Sequence, residues 1–354
     1  MDFPFPLVKI SGTPHERGAQ YGEAVGERIK KCLANYKALF LGASGLEWGD
    51  AIATSHRFEK YISDYMPDAI LEMRGIAEGA GVPYDEILTL NCRSELLFAL
   101  PDGCTSIAVP EKASADGKPY IAQNWDWLIS ARDVTTIVEI RQDPLPSVLM
   151  VCEAGMVGGK GVNSAGVGVG LNALGVGKGQ LGVPLHIMYR GINNARTISD
   201  AVDVVAKNTR AGSGNFAIGS ADDLFFHLEF SPDKFFPLIA VDDPLVHANH
   251  YLSPILQADD TLKAATTCTF ARYAAALKAA KRLNGKLDKK GIWELLCDHR
   301  GYPDSVCSHE DMNDSEWIRY CTVYGIVIDL AERKIEVSAG NPCESARQEF
   351  VLSR

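Results

Sequence analysis

The residues Gly103 and Cys104 stand where a helical run gives way to a β-rich one, in the stretch D-G-C-T-S-I-A-V at 102–109. Cutting the peptide bond between them would give Cys104 a free α-amine beside its own thiol. An α-amine titrates near roughly 7.7–8.0, so it can take the thiol proton near neutrality. One residue then supplies both nucleophile and base. Glycine at 103 removes a side chain where the thiol must reach the preceding carbonyl, and it tolerates a strained backbone there. The bond is thus open to cleavage by its own cysteine through an N-to-S acyl shift. Taken alone, the pair also fits a buried structural cysteine at the start of a strand.

A second candidate is Asp126, in Q-N-W-D-W. Its neighbours Trp125 and Trp127 suggest partial burial, where an unpartnered carboxylate is costly. Beside the Cys104 amine it could orient that group, shift its pKa or hold the amine of a substrate. Gln123 and Asn124 are weaker candidates that could simply satisfy backbone groups. His247 and His250, in H-A-N-H, are spaced i,i+3 with no acidic ligand nearby in sequence. With an α-amine as base neither is needed, and both are read as structural.

Other chemistries find less support. The nine cysteines are odd in number and contain no C-x-x-C pair, against a disulfide framework or a zinc ribbon. No H-E-x-x-H occurs, and neither a metal nor a cofactor is expected. The glycine-dense run at 159–179 does not open a helix, so it is not read as a dinucleotide site. A formal net charge of -10 without a long basic run argues against nucleic acid or an anionic membrane as partner. The opening M-D-F-P-F-P-L-V-K-I lacks the features of a signal peptide, and no long apolar run suggests a membrane span. A cytoplasmic protein is expected.

These groups need elements to hold them. Thr13, Pro14 and Glu16 form a strong helix start, and residues 67–81 form a helix that stops at glycine. Residues 83–100 read as further helix, so the first hundred are mainly helical. After Cys104 come β-rich runs at 104–110, 118–125, 134–142 and 147–155, then two short strands within the glycine-dense run. Two helices are expected over 184–208, strands over 215–250, helix over 261–300 and a closing hairpin turning near Ala331. With no internal repeat or linker, 354 residues read as one α+β domain of sheet covered by helix.

Four segments carry a family resemblance: G-T-P-H-E-R-G-A-Q-Y-G near the start, D-G-C-T with Q-N-W-D-W after it, G-V-N-S-A-G-V-G-V-G-L-N-A-L, and H-A-N-H with I-R-Y-C-T-V-Y-G-I-V-I-D. In that order they resemble the isopenicillin N acyltransferase (acyl-CoA:6-aminopenicillanate acyltransferase) family of N-terminal-nucleophile hydrolases. The resemblance implies a four-layer αββα sandwich and a precursor cut between Gly103 and Cys104. The products would be a small chain 1–103 and a large chain 104–354 that stay associated as a heterodimer.

It also implies roles. Cys104 is the nucleophile, Asp126 an active-site carboxylate, Asn249 the oxyanion-hole donor and Arg319 a guanidinium near the thiol. Ser231 and Thr105 are expected near the substrate, with Trp125 beside them. A member of the family has serine where Ile318 stands here, which leaves no hydroxyl at that position. The implied activity is cleavage of a small linear amide through a thioester. Acyl transfer from acyl-CoA, of the penicillin type, is the alternative. A ligand-binding relic of the fold is the reading from a different class.

Overall fold

The computed structural model describes residues 3–97, 103–177, 179–315 and 319–353. Along the chain, β1 (Leu7–Ser11) leads into α1 (Pro14–Leu39), α2 (Trp48–Tyr65), α3 (Pro67–Ala80), α4 (Tyr84–Asn91) and α5 (Arg93–Leu96). The strands β2 (Gly103–Val109), β3 (Tyr120–Leu128), β4 (Thr135–Arg141), β5 (Val148–Glu153), β6 (Lys160–Asn163) and β7 (Val167–Ala173) follow. Then come α6 (Leu185–Asn193), α7 (Ile198–Lys207), β8 (Gly214–Ser220), β9 (Phe225–Phe230), β10 (Phe235–Ala240) and β11 (Leu245–His247). The chain closes with α8 (Cys268–Arg282), α9 (Lys289–Leu296), β12 (Tyr320–Asp329), β13 (Lys334–Ser338) and β14 (Arg347–Val351).

One sheet has the order β1-β4-β5-β6-β7-β8-β9-β10, and the other the order β11-β2-β3-β12-β13-β14. Among the strand pairs of the described residues, β1–β4 is parallel and the rest are antiparallel. The sheets meet face to face where β2 and β3 pack on β7 and β8. Helices α1, α6 and α7 cover the first sheet, while α8 and α9 cover the second. This is the αββα sandwich expected from the sequence. One apolar core fills the space between the sheets and beneath α1 and α3, and a smaller one lies between the second sheet and α8 and α9.

Local chemistry explains the best-read elements. Thr13 and Glu16 form both bonds of a capping box at the start of α1. Gly81, at φ 66°, ends α3 in the left-handed conformation. Helices α1 and α3 then meet backbone to backbone. A Cβ on Gly18 would stand 2.0 Å from Glu72 O, and one on Gly75 would stand 2.1 Å from His15 O. Below that contact, buried Glu72 accepts from Arg17 and from Arg190 of α6.

Two strands depart from expectation: β1 precedes the helices, and β14 follows the hairpin that was read as closing the chain. Both lie at sheet edges and are only five residues long, each with one ladder partner, so neither offers a long strand pattern to read. Residues 98–100 of the helical reading lie outside the described residues. Among the described residues, no helix is long and apolar enough to cross a membrane.

Candidate active site

Strands β2 and β3 set the site by their register. Gly103 pairs with Asp126, Cys104 with Trp125 and Thr105 with Asn124. Because side chains alternate along a strand, Cys104 and Trp125 share one face and Asp126 and Thr105 the other. The first face looks between the sheets, into a cavity of about 120 Å³ that Cys104 and Trp125 both line. Tyr324, Leu171, Lys160 and Glu95 line it as well. Lys160 Nζ stands 5.0 Å from the Trp125 ring centre and 5.5 Å from that of Tyr324. Burial pushes the Glu95 carboxyl up to about 7, although it accepts the Leu185 N–H. The cavity thus joins aromatic walls to a few ionisable groups, a composition suited to a small organic ligand.

The backbone of Cys104 is held at both ends. Its N–H donates to Asn249 Oδ1 at 2.8 Å, and its carbonyl accepts from Arg272 Nη1 at 2.7 Å. The same guanidinium donates to Asn249 Oδ1 at 2.8 Å and to Thr105 Oγ1 at 3.1 Å. With its oxygen fixed by two donors, the Asn249 side chain points Nδ2 the other way, where it donates to Ala173 O at the cavity wall. Thr269, one turn before Arg272 on α8, accepts the Asn249 N–H. Helix α8 therefore positions both ends of this network.

Arg272 was missed in the sequence. It sits in T-F-A-R-Y-A-A-A-L-K-A-A-K-R, which reads as an ordinary amphipathic helix. A signal was present: Thr269, Arg272, Ala276 and Ala279 follow helical spacing along the buried stripe, and Arg272 is only 1% exposed. An arginine on an apolar stripe must find acceptors. Here they are the Cys104 carbonyl, Thr105 and Asn249.

Asp126 meets Gly103 on the opposite face from the cavity. A Cβ on Gly103 would stand 2.7 Å from Asp126 Cβ and 3.0 Å from its Oδ2. This contact accounts for the glycine; Gly103 has strand backbone without a left-handed φ, so no strain is stored there. Thr322 donates to Asp126 Oδ1 at 2.7 Å, while Oδ2 is buried without a hydrogen-bond partner among the described residues. Burial raises the carboxyl to about 6, against the opposing pull of Arg272 and the Thr322 hydroxyl.

The other candidates lie elsewhere. The guanidinium bonded to the Cys104 carbonyl is that of Arg272; Arg319, just before β12, donates to Asp314 O. Ile318 lies outside the described residues. Ser231 caps a turn, its Oγ accepting the Lys234 N–H. Thr105 faces Arg272 on the side away from the cavity. Asn124 donates to the carbonyls of Leu296 and Val306, and Gln123 to Leu171 O, so both satisfy backbone. His247 is 2.8 Å from Glu229, and His250 is 2.8 Å from Thr269 Oγ1; both brace the segment carrying Asn249.

The family model described as acyl-coenzyme A:6-aminopenicillanic acid acyl-transferase matches residues 113–344. The chain belongs to this family. It is accordingly an enzyme of an acyltransferase family. A relative from Emericella nidulans, acyl-coenzyme A:6-aminopenicillanic-acid-acyltransferase 40 kDa form, is 29% identical, over 98% of this chain and 95% of its own. Two solved structures are also similar. One is a conjugated bile acid hydrolase from Clostridium perfringens (TM-score 0.49, 9% identity, 71% of this chain and 97% of that one). The other is an N-acylethanolamine-hydrolyzing acid amidase orthologue from Caenorhabditis elegans (TM-score 0.45, 16% identity, 71% of this chain and 100% of that one).

Proposed function

We propose that the protein is a self-cleaving N-terminal-cysteine amidohydrolase acting on a small linear, non-peptide amide. The observation that carries this reading is the placement of Cys104. Its side chain lines the cavity, while its nitrogen is held 2.8 Å from Asn249 at the end of a strand. Cutting the Gly103–Cys104 bond turns that nitrogen into an α-amine without moving it. One folded domain then consists of a small chain 1–103 and a large chain 104–354.

In turnover the α-amine takes the thiol proton and the sulfur attacks the amide carbon. Asn249 Nδ2 donates to the oxygen as negative charge develops. The amine leaves with the proton, and water attacks the thioester to release the acid and restore the thiol. Arg272 holds the Cys104 carbonyl and Asn249 in register. Asp126 meets the newly formed amine from the far side of the strand, and Trp125 forms a wall for the acyl group. None of the nine cysteines is in a disulfide, which suits a reducing, cytoplasmic setting.

The relative from Emericella nidulans favours a second reading, in which an amine replaces water and acyl-CoA is the donor. Both share the acyl-enzyme. The first test is intact mass of the wild type and Cys104→Ala, expressed without any processing protease. Two fragments from the wild type, divided between Gly103 and Cys104, and one from the variant support the reading; two from the variant would sink it. Incubating the cut enzyme with amides in water, and with acyl-CoA plus amines, then separates hydrolysis from transfer.

A further inference from the structure

Outside the lining of the cavity, four metal-ligating side chains converge: His299, Cys307, His309 and Cys343. Three come from the segment after α9, and Cys343 arrives from the turn between β13 and β14. One donor atom from each lies within 4.8 Å of the other three. His299 Nε2 and His309 Nε2 are 3.1 Å apart, and the Cys307 and Cys343 sulfurs are 3.6 Å apart. His309 Nε2 stands 3.7 Å from Cys307 Sγ and 3.6 Å from Cys343 Sγ.

These four separations match four of the six edges of a coordination tetrahedron, and the other two are within 4.8 Å. With Zn–S near about 2.3 Å and Zn–N near about 2.05 Å, tetrahedral geometry puts S···S at about 3.8 Å, S···N at about 3.6 Å and N···N at about 3.3 Å. A tetrahedral set of two sulfurs and two imidazole nitrogens selects zinc among the common divalent ions. Asn341 supplies outer support: its Nδ2 donates to Cys307 Sγ at 3.5 Å and to Ser308 O at 2.6 Å. His299 and Cys343 are exposed, which leaves a path for entry, while Cys307 is buried.

We propose that His299, Cys307, His309 and Cys343 bind one zinc ion as a closed structural site. On binding, the two thiols release their protons to solvent, two Zn–S bonds form and two neutral imidazoles complete the shell. Thiolate and metal charges cancel. All four positions are filled by protein, so the site stabilises and does not catalyse. It ties the segment after α9 to the turn after β13. Ser308, next to Cys307, exchanges bonds with Thr322, the residue that donates to Asp126. The sequence concealed this set because Cys343 is distant in the chain and no C-x-x-C marks it.

The test is metal analysis of full-length protein purified without a metal-affinity tag, followed by cobalt titration of the reduced, metal-free form. About one zinc per chain is expected, lost in Cys343→Ser, with zinc raising the thermal midpoint of the wild type only. Cobalt should give tetrahedral d–d bands and a thiolate charge-transfer band, retained in Cys104→Ala and absent in Cys343→Ser. The cobalt reading on wild type stands even where a variant folds poorly. Three outcomes each overturn the proposal: no zinc and no cobalt–thiolate band in the wild type, zinc retained in both Cys307→Ser and Cys343→Ser, or a Cys307–Cys343 disulfide in protein alkylated at lysis.

Discussion

The peptide nitrogen of Cys104 donates to Asn249 Oδ1, and that same oxygen accepts from Arg272. Two donors on one oxygen prevent the amide from turning over, so Nδ2 is held in the direction of the cavity wall. Asn249→Ala is expected to mature, at normal or reduced speed, and then to turn over about 10²–10³ times more slowly, as when an oxyanion-hole donor is lost. Steady-state kinetics on cut protein check this, and unchanged turnover would remove Asn249 from the site.

Gly103→Ala tests the contact across the β2–β3 pair. Its new methyl would meet Asp126 Cβ at 2.7 Å, and neither strand can yield without disturbing the ladder. Uncut protein should accumulate. A time course of intact masses after synthesis reads the delay, and processing at wild-type speed would show that Asp126 gives way.

Asp126 also predicts a pH dependence of stability. Its carboxyl rises from the ordinary 3.8 to about 6 in the folded protein. Between those values the unfolded chain has lost a proton that the folded chain retains, so stability falls as pH rises through this window and then levels off. The shift corresponds to roughly 3 kcal/mol. Glu95, also raised by burial, adds a decline of the same sign in an overlapping window in both proteins. Urea unfolding should therefore show a steeper decline in the wild type than in Asp126→Asn; equal slopes would assign the effect elsewhere.

Arg272→Met keeps the bulk of the side chain and removes its donors. The Cys104 carbonyl, Thr105 and Asn249 each lose a hydrogen bond in a buried place, at about 1–3 kcal/mol for an acceptor left unsatisfied. The urea midpoint should drop and maturation should slow. Arg272→Lys should recover only part of the loss, because one ammonium cannot reproduce the guanidinium fork. Full recovery by lysine would mean that charge alone matters at this position.

Where chemistry is local, the fold was legible. Thr13, Pro14 and Glu16 announce α1, and Gly81 marks the end of α3. The glycine-dense run yielded β6 and β7 because its apolar residues keep their spacing. Edge strands were hidden, since each is only five residues long, β1 follows two prolines and β14 is mostly polar. In the site, Cys104 and Asp126 stood out by type and neighbours, and the four-layer arrangement followed from the family. The partner of Cys104 on α8 did not, because Arg272 reaches the β2 backbone across 168 residues of sequence. Arg319, expected from the motif, donates to Asp314 O just before β12.

The parallel pairing of β1 with β4 has a consequence for molecularity. Strand β1 comes before the proposed cut and β4 after it, and their ladder runs from Leu7↔Ile137 to Ser11↔Arg141. In the mature enzyme a single sheet would therefore be assembled from two polypeptides. Releasing the small chain means tearing out an edge strand together with the α1 and α3 layer above it, so dissociation and denaturation become one event. The cut form should then melt at a midpoint that climbs with protein concentration, whereas the uncut Cys104→Ala chain melts at one that does not.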